Sequence, residues 1–237
     1  MFYFREFSVC DDNSSMKIGT DSCLLGAATK AEKANRILDI GTGCGILSLM
    51  LAQKSNAYID AIDIDIESCN EAKLNFNRSK WGKRISIYCI DFIYFSKKSN
   101  VKYDVIISNP PFFKPAIKIE NTKRHNARYT SKLDFKSLCS LSYSLMKEKA
   151  IFSTIVPYNR LSDFIKSAES SKLFVSNMLL IHSVANKRPK RYIVELAKQK
   201  KDNINFQRLT IRNTDGSYMG EYIKFMKDFQ KFDRMHI

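Results

Sequence analysis

The residues Asn109-Pro110-Pro111-Phe112 stand at the end of an apolar run, YDVIISN (103–109), that is typical of a buried strand. Each proline removes a backbone N–H donor and fixes φ, so the chain must leave the sheet at this point. A residue before proline is also held in an extended conformation. Backbone carbonyls and the Asn109 side chain can therefore face a pocket instead of a neighbouring strand.

A pocket built in this way would suit an amine whose lone pair is delocalised into a ring or a carbonyl group. The Asn109 side-chain oxygen and the Pro110 carbonyl could accept both N–H hydrogens, orient the amine and stabilise positive charge on its nitrogen without a general base. Phe112 would stack on the flat face of the acceptor. We interpret Asn109, Pro110, Pro111 and Phe112 as catalytic residues. The alternative is a strand that ends on prolines for structural reasons alone.

Three glycines and two aspartates predict a second site on the same sheet. Gly41, Gly43 and Gly45 follow another apolar run at the expected start of a helix, where glycine allows a close approach and the helix N-terminus offers N–H groups. Asp63 closes the next strand about twenty residues later, where a carboxylate can accept both ribose hydroxyls of an adenosine. Asp91 ends the strand after that. This arrangement predicts a nucleoside cofactor at the carboxyl ends of the strands.

The glycine spacing is G-x-G-x-G, whereas the dinucleotide fingerprint is G-x-G-x-x-G, so NAD or FAD is a disfavoured alternative. The segment DIGTGCG resembles the first motif of the Rossmann-like methyltransferases, which bind S-adenosylmethionine. The resemblance implies that Asp63 holds the ribose, that Asp91 hydrogen-bonds the adenine amine, and that the loop from Asp39 to Gly45 carries the methionine part. Within that class, Asn-Pro-Pro-aromatic is shared by enzymes that methylate adenine N6, guanine N2 or the glutamine amide of release factors.

The elements that must position these residues alternate between strands and helices. We predict strands at 36–41, 57–65, 85–91, 103–109, 150–158, 173–184 and 191–198, and helices at 66–80, 134–147 and 160–171. Such alternation predicts a mostly parallel sheet covered on both faces, and right-handed crossovers make it doubly wound. We therefore expect an α/β, Rossmann-like class I methyltransferase fold.

The chain shows no internal repeat and no linker, so we expect a single methyltransferase domain over residues 1–237. Its parts would be an N-terminal edge strand or hairpin with a cofactor-capping segment (1–30), a Rossmann-like core (31–200) and a C-terminal strand and helix (201–237). The basic stretch from Lys114 to Lys132 has no apolar period and is predicted to be a long functional loop.

Composition narrows the kinds of partner and compartment. Thirty-nine Lys and Arg residues against twenty-four Asp and Glu residues give a net charge of +15, which favours a polyanionic partner such as nucleic acid. No apolar run is long enough for a membrane span, and we see no signal peptide at the N-terminus. The six scattered cysteines indicate reduced thiols rather than disulfides or a metal site. We expect a cytoplasmic protein, and a monomer.

The resemblance to one family extends over nearly the whole chain. Six segments are similar to those of the bacterial tRNA(Val) adenine-N6-methyltransferases, which modify adenine 37 beside the anticodon: MKIGTDSCLLGA (16–27), LDIGTGCGILSLMLAQ (38–53), YDVIISNPPFF (103–113), HNARYTSKLDFKSL (125–138), KRPKRYIVELA (187–197) and DGSYMGEYIKFMKDFQKF (215–232). The terminal segments distinguish this family, because general methyltransferases lack the leading K-x-G-T-D and the late K-R-P-K-R-Y. The implied substrate is therefore the anticodon loop of a tRNA.

The same resemblance implies further roles and shows two departures. It places Lys17, Gly19, Thr20 and Asp21 against the methionine end of S-adenosylmethionine. Phe112 stands where many relatives carry tyrosine, and Asp63 stands where relatives often carry glutamate. Stacking survives the first change, and either carboxylate can reach a ribose.

The basic segments are then candidates for contacts with RNA. We expect phosphate contacts from residues that would flank the pocket, and a stacking role for one tyrosine: Lys114, Arg124, Arg128, Tyr129, Lys187, Arg188, Lys190 and Arg191. Surface charge without function is the alternative for each basic residue.

Three other functions stay open at this point. A glutamine N5-methyltransferase that acts on a release factor would keep the fold and the amine site, although a protein substrate does not require dense positive charge. A DNA adenine methyltransferase usually carries a sequence-reading domain for which this chain has no room. A catalytically silent RNA-binding protein would have no reason to keep both DIGTGCG and NPPF.

Overall fold

The computed structural model describes residues 1–110 and 133–232, and its central feature there is a sheet of eight strands. The strands of the described chain are β1 (Phe2–Tyr3), β2 (Ser8–Val9), β3 (Arg36–Ile40), β4 (Tyr58–Asp63), β5 (Ile85–Cys89), β6 (Tyr103–Ser108), β7 (Met146–Pro157), β8 (Phe174–Val184), β9 (Arg191–Ala197) and β10 (Asn205–Arg212). The α-helices are α1 (Thr20–Ala28), α2 (Ile46–Lys54), α3 (Ile66–Arg78), α4 (Phe92–Lys98), α5 (Phe135–Leu145), α6 (Leu161–Ser170) and α7 (Gly220–Met226).

The strand order in the large sheet is β10-β8-β9-β7-β6-β3-β4-β5. Neighbouring pairs are parallel except at β9, which runs antiparallel to both β7 and β8. Because β3 lies between β4 and β6 and is parallel to both, the loops that follow these three strands meet at one edge of the sheet. The predicted mostly parallel, doubly wound sheet is confirmed.

Helices cover both faces of the sheet, as predicted. The central strand β3 is buried along Ile37–Ile40, the near-continuous apolar pattern of a strand packed on two sides. One core cluster joins the face of the sheet that carries Ile37 to side chains of α1, α2, α3 and α7, including Leu24, Met50 and Phe76. The other cluster joins the opposite face to α4, α5 and α6, where Phe164 is fully buried.

Several helices begin at aspartates that cap them. The side chain of Asp65 accepts a hydrogen bond from the Ser68 amide at the start of α3, and Asp134 accepts one from the Ser137 amide at the start of α5. Such caps satisfy backbone N–H groups that the helix itself leaves unpaired. They fix where each helix leaves the loop edge of the sheet, and Asp65 and Asp134 both line the cavity found there.

The predicted elements are present with shifted ends. The strand expected at 150–158 begins at Met146, directly after α5, so the predicted helix over 134–147 is two residues too long at its C-terminal end. The first fifteen residues form a two-stranded antiparallel hairpin, β1 with β2, and not an edge strand of the large sheet. The basic loop predicted from Lys114 to Lys132 lies outside the described residues. All six cysteines are free thiols.

Gly45 begins α2 in a left-handed conformation, with φ of 89°. A Cβ there would overlap the ring of Phe76 on α3, so the glycine allows α2 and α3 to pack closely behind the loop. The position therefore combines two requirements, backbone conformation and space.

We expect Gly45→Ala to lower the free energy of unfolding by roughly 2–5 kcal/mol, the sum of left-handed strain and overpacking. Gly216→Ala is the matched control, because Gly216 has φ of 93° but no atom of the described chain within 4 Å of a Cβ. That control should lose about 1–2 kcal/mol, from the backbone term alone. Urea unfolding of both variants measures the difference in their free energies of unfolding. Equal losses would show that the Phe76 ring can move aside without destabilising the fold.

Candidate active site

A cavity of about 640 Å³ opens at the edge where β3, β4 and β6 end. This volume is within the range of pockets that hold cofactors and other small ligands. The lining comes from the loops after these strands, from the start of α4, and from the chain before α1 and α5. The lining residues are 15–18, Ser22, 40–44, Ile46, Leu47, 62–65, 90–92, 108–110, 133–135 and Arg160.

The glycine loop forms one wall of this cavity. The amides of Gly41 and Thr42 donate to the carbonyl of Ile62 at 2.9 and 3.0 Å, so the loop is tied to the end of β4. Gly41 and Gly43 have φ of 69° and 56°, and a Cβ on either would meet no atom of the described chain within 4 Å. The loop therefore leaves open space where the sequence predicted a bound cofactor.

Asp63 ends β4 beside this loop and lines the cavity. One carboxylate oxygen accepts the Gly43 amide at 2.8 Å, and the other accepts the Asp65 amide at 2.9 Å. Burial raises the pKa of Asp63, while the amides of Asp65 and Gly43 oppose the shift. Two backbone amides thus fix the orientation of the carboxylate that is predicted to hold a ribose.

Asp91 lines the same cavity as the glycine loop, but it does not end a strand. Strand β5 stops at Cys89, so the prediction that Asp91 closes it is wrong by two residues. Asp91 instead caps α4, and one oxygen accepts the amides of Ile93 and Tyr94. It still lines the cavity, beside Ile90 and Phe92.

Asp39 was predicted to belong to the cofactor-carrying loop, and the structure gives it a different place. It is fully buried in β3 and is not part of the cavity lining. One carboxylate oxygen accepts the hydroxyls of Thr42 and Ser48 at 2.6 and 2.7 Å, and the other has no hydrogen-bond partner in the described chain. Asp39 therefore supports the loop from behind. Gly45 likewise lies outside the lining and contributes to helix packing.

Asn109 follows β6 directly and lines the cavity together with Pro110. Its amide nitrogen donates to the Ser22 hydroxyl on α1 at 2.9 Å, and Ser22 is buried. Because the nitrogen is used in this bond, the side-chain oxygen is the atom presented as acceptor. Ser22 was not predicted from the sequence, because its contact with Asn109 joins residues 87 positions apart in the chain. Pro111 and Phe112 lie outside the described residues.

Of the four cofactor residues predicted around the start of α1, one lines the cavity. Lys17 lines the cavity, and its ammonium donates to the carbonyls of Asp11 and Asp12. Gly19 and Thr20 are the N-cap and first residue of α1 and are not in the lining. Asp21 is not in the lining either, and its carboxylate pairs with Arg191 at 2.8 Å.

Buried polar side chains of α3 hold this segment against the fold. Glu71 accepts the amides of Asn13 and Ser14 at 3.0 and 2.8 Å and also the Ser14 hydroxyl. Asn75 accepts the Cys10 amide and donates to the carbonyls of Cys10 and Cys44. These bonds bridge residues far apart in sequence, so no local pattern predicts them.

The described basic residues of the predicted RNA surface stand at the same edge of the sheet. Lys187, Arg188 and Lys190 are exposed in the turn between β8 and β9. Arg191 begins β9 and is partly engaged by Asp21. The other predicted RNA contacts, Lys114, Arg124, Arg128 and Tyr129, lie outside the described residues.

Comparison with known proteins identifies the family. Residues 13–126 match the family model described as "Methyltransferase small domain". The chain is 37% identical, over 96% of its own length and 96% of the relative's, to a protein of Bacteroides fragilis named tRNA1(Val) (adenine(37)-N6)-methyltransferase. A protein of Pectobacterium carotovorum with the same name is 36% identical over 98% and 94% of the two chains. The chain belongs to this family.

Solved structures of methyltransferases share the fold of this chain. A predicted O-methyltransferase from Agrobacterium tumefaciens superposes with a TM-score of 0.67 over 88% of this chain and 96% of its own, at 17% identity. A ribosomal protein L11 methylase from Lactobacillus delbrueckii gives a TM-score of 0.55 over 75% and 77% of the two chains, at 15% identity. At these identities the likeness shows the fold alone.

Residues 1–110 and 133–232 contain neither a group of metal-ligating side chains nor a membrane-spanning helix. No cluster of three or more His, Cys, Asp or Glu side chains there could hold a metal ion. No helix of this part of the chain has the length and apolar character needed to cross a bilayer.

Burial raises the pKa of Asp39 to about 6. The unfolded chain therefore ionises first as the pH rises, so this group's contribution to stability is complete below about pH 4 and is lost towards pH 6. From the 3.8-to-6 shift, the loss amounts to about 3 kcal/mol. Asp39→Asn, which cannot ionise, should gain that much relative to the wild type between pH 4 and pH 7 in urea unfolding.

Asp104→Asn is a control of opposite sign. Burial raises the pKa of Asp104, but hydrogen bonds from Lys147 and from the amides of Arg36 and Asn35 outweigh this and lower it. That variant should lose stability relative to the wild type as the pH rises through the acidic range. A pH-independent difference for Asp39→Asn would contradict the assigned pKa of Asp39.

Proposed function

We propose that this protein transfers a methyl group from S-adenosylmethionine to N6 of an adenine in tRNA, at position 37 beside the anticodon of tRNA1(Val). The observation that carries the proposal is the family: the chain is 36–37% identical to enzymes of that name over nearly its whole length. The geometry agrees with it, because Asn109 and Pro110 line a cavity beside an open glycine loop.

The cavity suits S-adenosylmethionine, which supplies an electrophilic methyl group on a sulfonium when it is bound. Gly41 and Gly43 leave room for a close backbone approach, and Asp63 offers a carboxylate fixed by two amides to ribose hydroxyls. Asp91 and the apolar side chains beside it are placed for the adenine, and Lys17 lies in the segment assigned to the methionine part. Asp39 contributes by holding Thr42 and Ser48.

The amine of the target adenine would be held by Asn109 and Pro110. The Asn109 side-chain oxygen and the Pro110 carbonyl accept the two N6 hydrogens and direct the nitrogen lone pair towards the methyl donor. Both acceptors also stabilise the positive charge that develops on nitrogen, so no general base has to act before the transfer. Ser22 fixes the Asn109 amide in the orientation that this role needs. Phe112 is assigned, from the sequence, to stacking on the base.

The wider proposal follows from this substrate. A tRNA partner accounts for the net charge of +15, and contacts are assigned to Lys114, Arg124, Arg128, Tyr129, Lys187, Arg188, Lys190 and Arg191. We also propose a cytoplasmic monomer whose residues 1–237 form one methyltransferase domain. The curated family argues against glutamine methylation of a release factor and against a silent RNA-binding role.

The acceptor is tested by incubating the purified protein with tritiated S-adenosylmethionine and unmodified total tRNA, a release factor or duplex DNA. We expect label in tRNA alone, recovered as N6-methyladenosine after digestion. Label in the release factor alone would keep the amine site and overturn the substrate. No transfer to any acceptor, together with intact RNA binding, would favour the silent protein.

The amine site is tested by Asn109→Ala in the same assay. Turnover should fall by orders of magnitude, because the lost acceptor acts mainly in the transition state, while the Kd for S-adenosylmethionine stays within a few fold. Calorimetric titration gives the Kd, and single-turnover rates report the chemical step. Near-normal turnover would rule out the role assigned to Asn109.

Lys187, Arg188 and Lys190 are tested together by alanine substitution, with Arg191 retained because it pairs with Asp21. Each lost phosphate contact should reduce the slope of log K against log salt by about 0.7 to 0.9, so tRNA binding should weaken most at low salt. The matched control replaces Lys30, Lys33 and Lys83, which are exposed where strands begin. An equal change in the salt slope for both triple variants would mean that the cations of the β8–β9 turn contribute to tRNA binding no more than other surface cations.

A further inference from the structure

Two stacked tyrosines stand beside the cavity, outside all the residues assigned so far. The rings of Tyr158 and Tyr192 lie 5.7 Å apart between centroids, with 22° between their planes. Tyr192 packs against the core cluster of the α4–α6 face, and burial raises its pKa. Tyr158 is 52% exposed. The pair is thus a ring anchored in the core with a second ring presented to solvent.

The position of the pair follows from the topology. Tyr158 comes directly after β7, at the edge where the parallel strands end, and Tyr192 is the second residue of β9, which starts at that edge. The Tyr158 amide donates to the Lys190 carbonyl at 3.0 Å, and the Arg191 guanidinium donates to the same carbonyl at 3.0 Å. The turn that begins at Tyr158 is therefore hydrogen-bonded to the basic turn between β8 and β9.

Arg160 connects the pair to the cavity. It lies in the same short 3₁₀ turn as Tyr158 and lines the cavity. Its guanidinium carbon is 5.0 Å from the ring centroid of Phe135, another lining residue, and its Nε is 3.4 Å from an Asp163 oxygen. Arg160 thus lines the cavity, Tyr158 lies two residues before it in the same turn, and that turn is bonded to the segment that carries the exposed cations Lys187, Arg188 and Lys190.

We propose that Tyr158, supported by Tyr192, stacks on an unpaired nucleotide next to the target adenine while the target base enters the cavity. Unpaired bases are commonly recognised by stacking on aromatic side chains, with basic residues on the backbone phosphates. The surrounding cations match such an occupant in charge. This inference rests on the proposed function, because it presumes that the substrate is a single-stranded loop of RNA.

The test compares wild type, Tyr158→Ala, Tyr158→Phe and Tyr58→Ala on an unmodified tRNA1(Val) transcript. Tyr58 is a matched control, because it is 58% exposed but begins β4 at the opposite edge of the sheet. Tyr158→Ala should raise the Kd for the tRNA about tenfold, the effect of one lost base–aromatic stack. Tyr158→Phe and Tyr58→Ala should stay within about twofold of the wild type, since stacking needs the ring and not the hydroxyl.

A second measurement reports stacking directly, through the fluorescence of a base analogue in the RNA. Placing 2-aminopurine at position 36 or 38 of the transcript should give, for one of the two, fluorescence that wild type and Tyr158→Phe quench and Tyr158→Ala does not. The Kd for S-adenosylmethionine should be unchanged in all variants, which shows that the fold is intact. Should Tyr158→Ala fail to fold, quenching by wild type and Tyr158→Phe at one flanking position would still support the stack, and its absence at both would overturn it.

The outcomes separate this inference from the function on which it rests. Wild-type protein that leaves the transcript unmethylated overturns the proposed function itself. Normal wild-type methylation with an unaffected Tyr158→Ala variant overturns only the stacking role. Equal losses in Tyr158→Ala and Tyr158→Phe would assign the effect to the hydroxyl and also overturn stacking.

Discussion

The pairing of β3 with β4 on one side and with β6 on the other is the constraint on which the site depends. Parallel strands carry their following loops to one edge, and the register Asp39↔Ala61 and Asp39↔Ile107 brings three such loops together. Gly41, Asp63 and Asn109 meet there although they are far apart in sequence. A slip of register would turn each strand's side chains to the other face, so the two buried cores protect the geometry of the site.

The sequence predicted the parts of the molecule whose causes are local. Glycines after an apolar run predicted the open loop at Gly41 and Gly43, and prolines after another predicted that the sheet stops at Asn109. Asp63 was predicted from its place at the end of a strand. The prediction that Asp39 lines the cofactor site was wrong, because a motif shows which residues recur and not which way each side chain points. Only the structure shows that its carboxylate is buried beneath the loop.

What the sequence did not predict depends on contacts between distant residues. Ser22 is an ordinary serine within α1 until the fold brings it to Asn109, and Glu71 is one acid among many until it accepts the Ser14 amide. Tyr158 was predicted only as the last residue of a strand and belongs to no motif, and its contact with Tyr192 arises from the antiparallel pairing of β7 with β9. The strand end at Cys89, two residues before Asp91, is decided by pairing with β4 and not by the residue types alone.

The reversed direction of β9 has a consequence for how this architecture can change. The β8–β9 turn stands at the reactive edge but shares no residue with the cavity lining. The turn joins two strands beyond β7, so it is held at this edge without taking part in the pairing of β3 with β4 and β6 that positions Gly41, Asp63 and Asn109. Under the proposed function, a change in the charge of the turn would therefore alter the attraction for RNA while leaving the strand pairing beneath the cofactor residues intact.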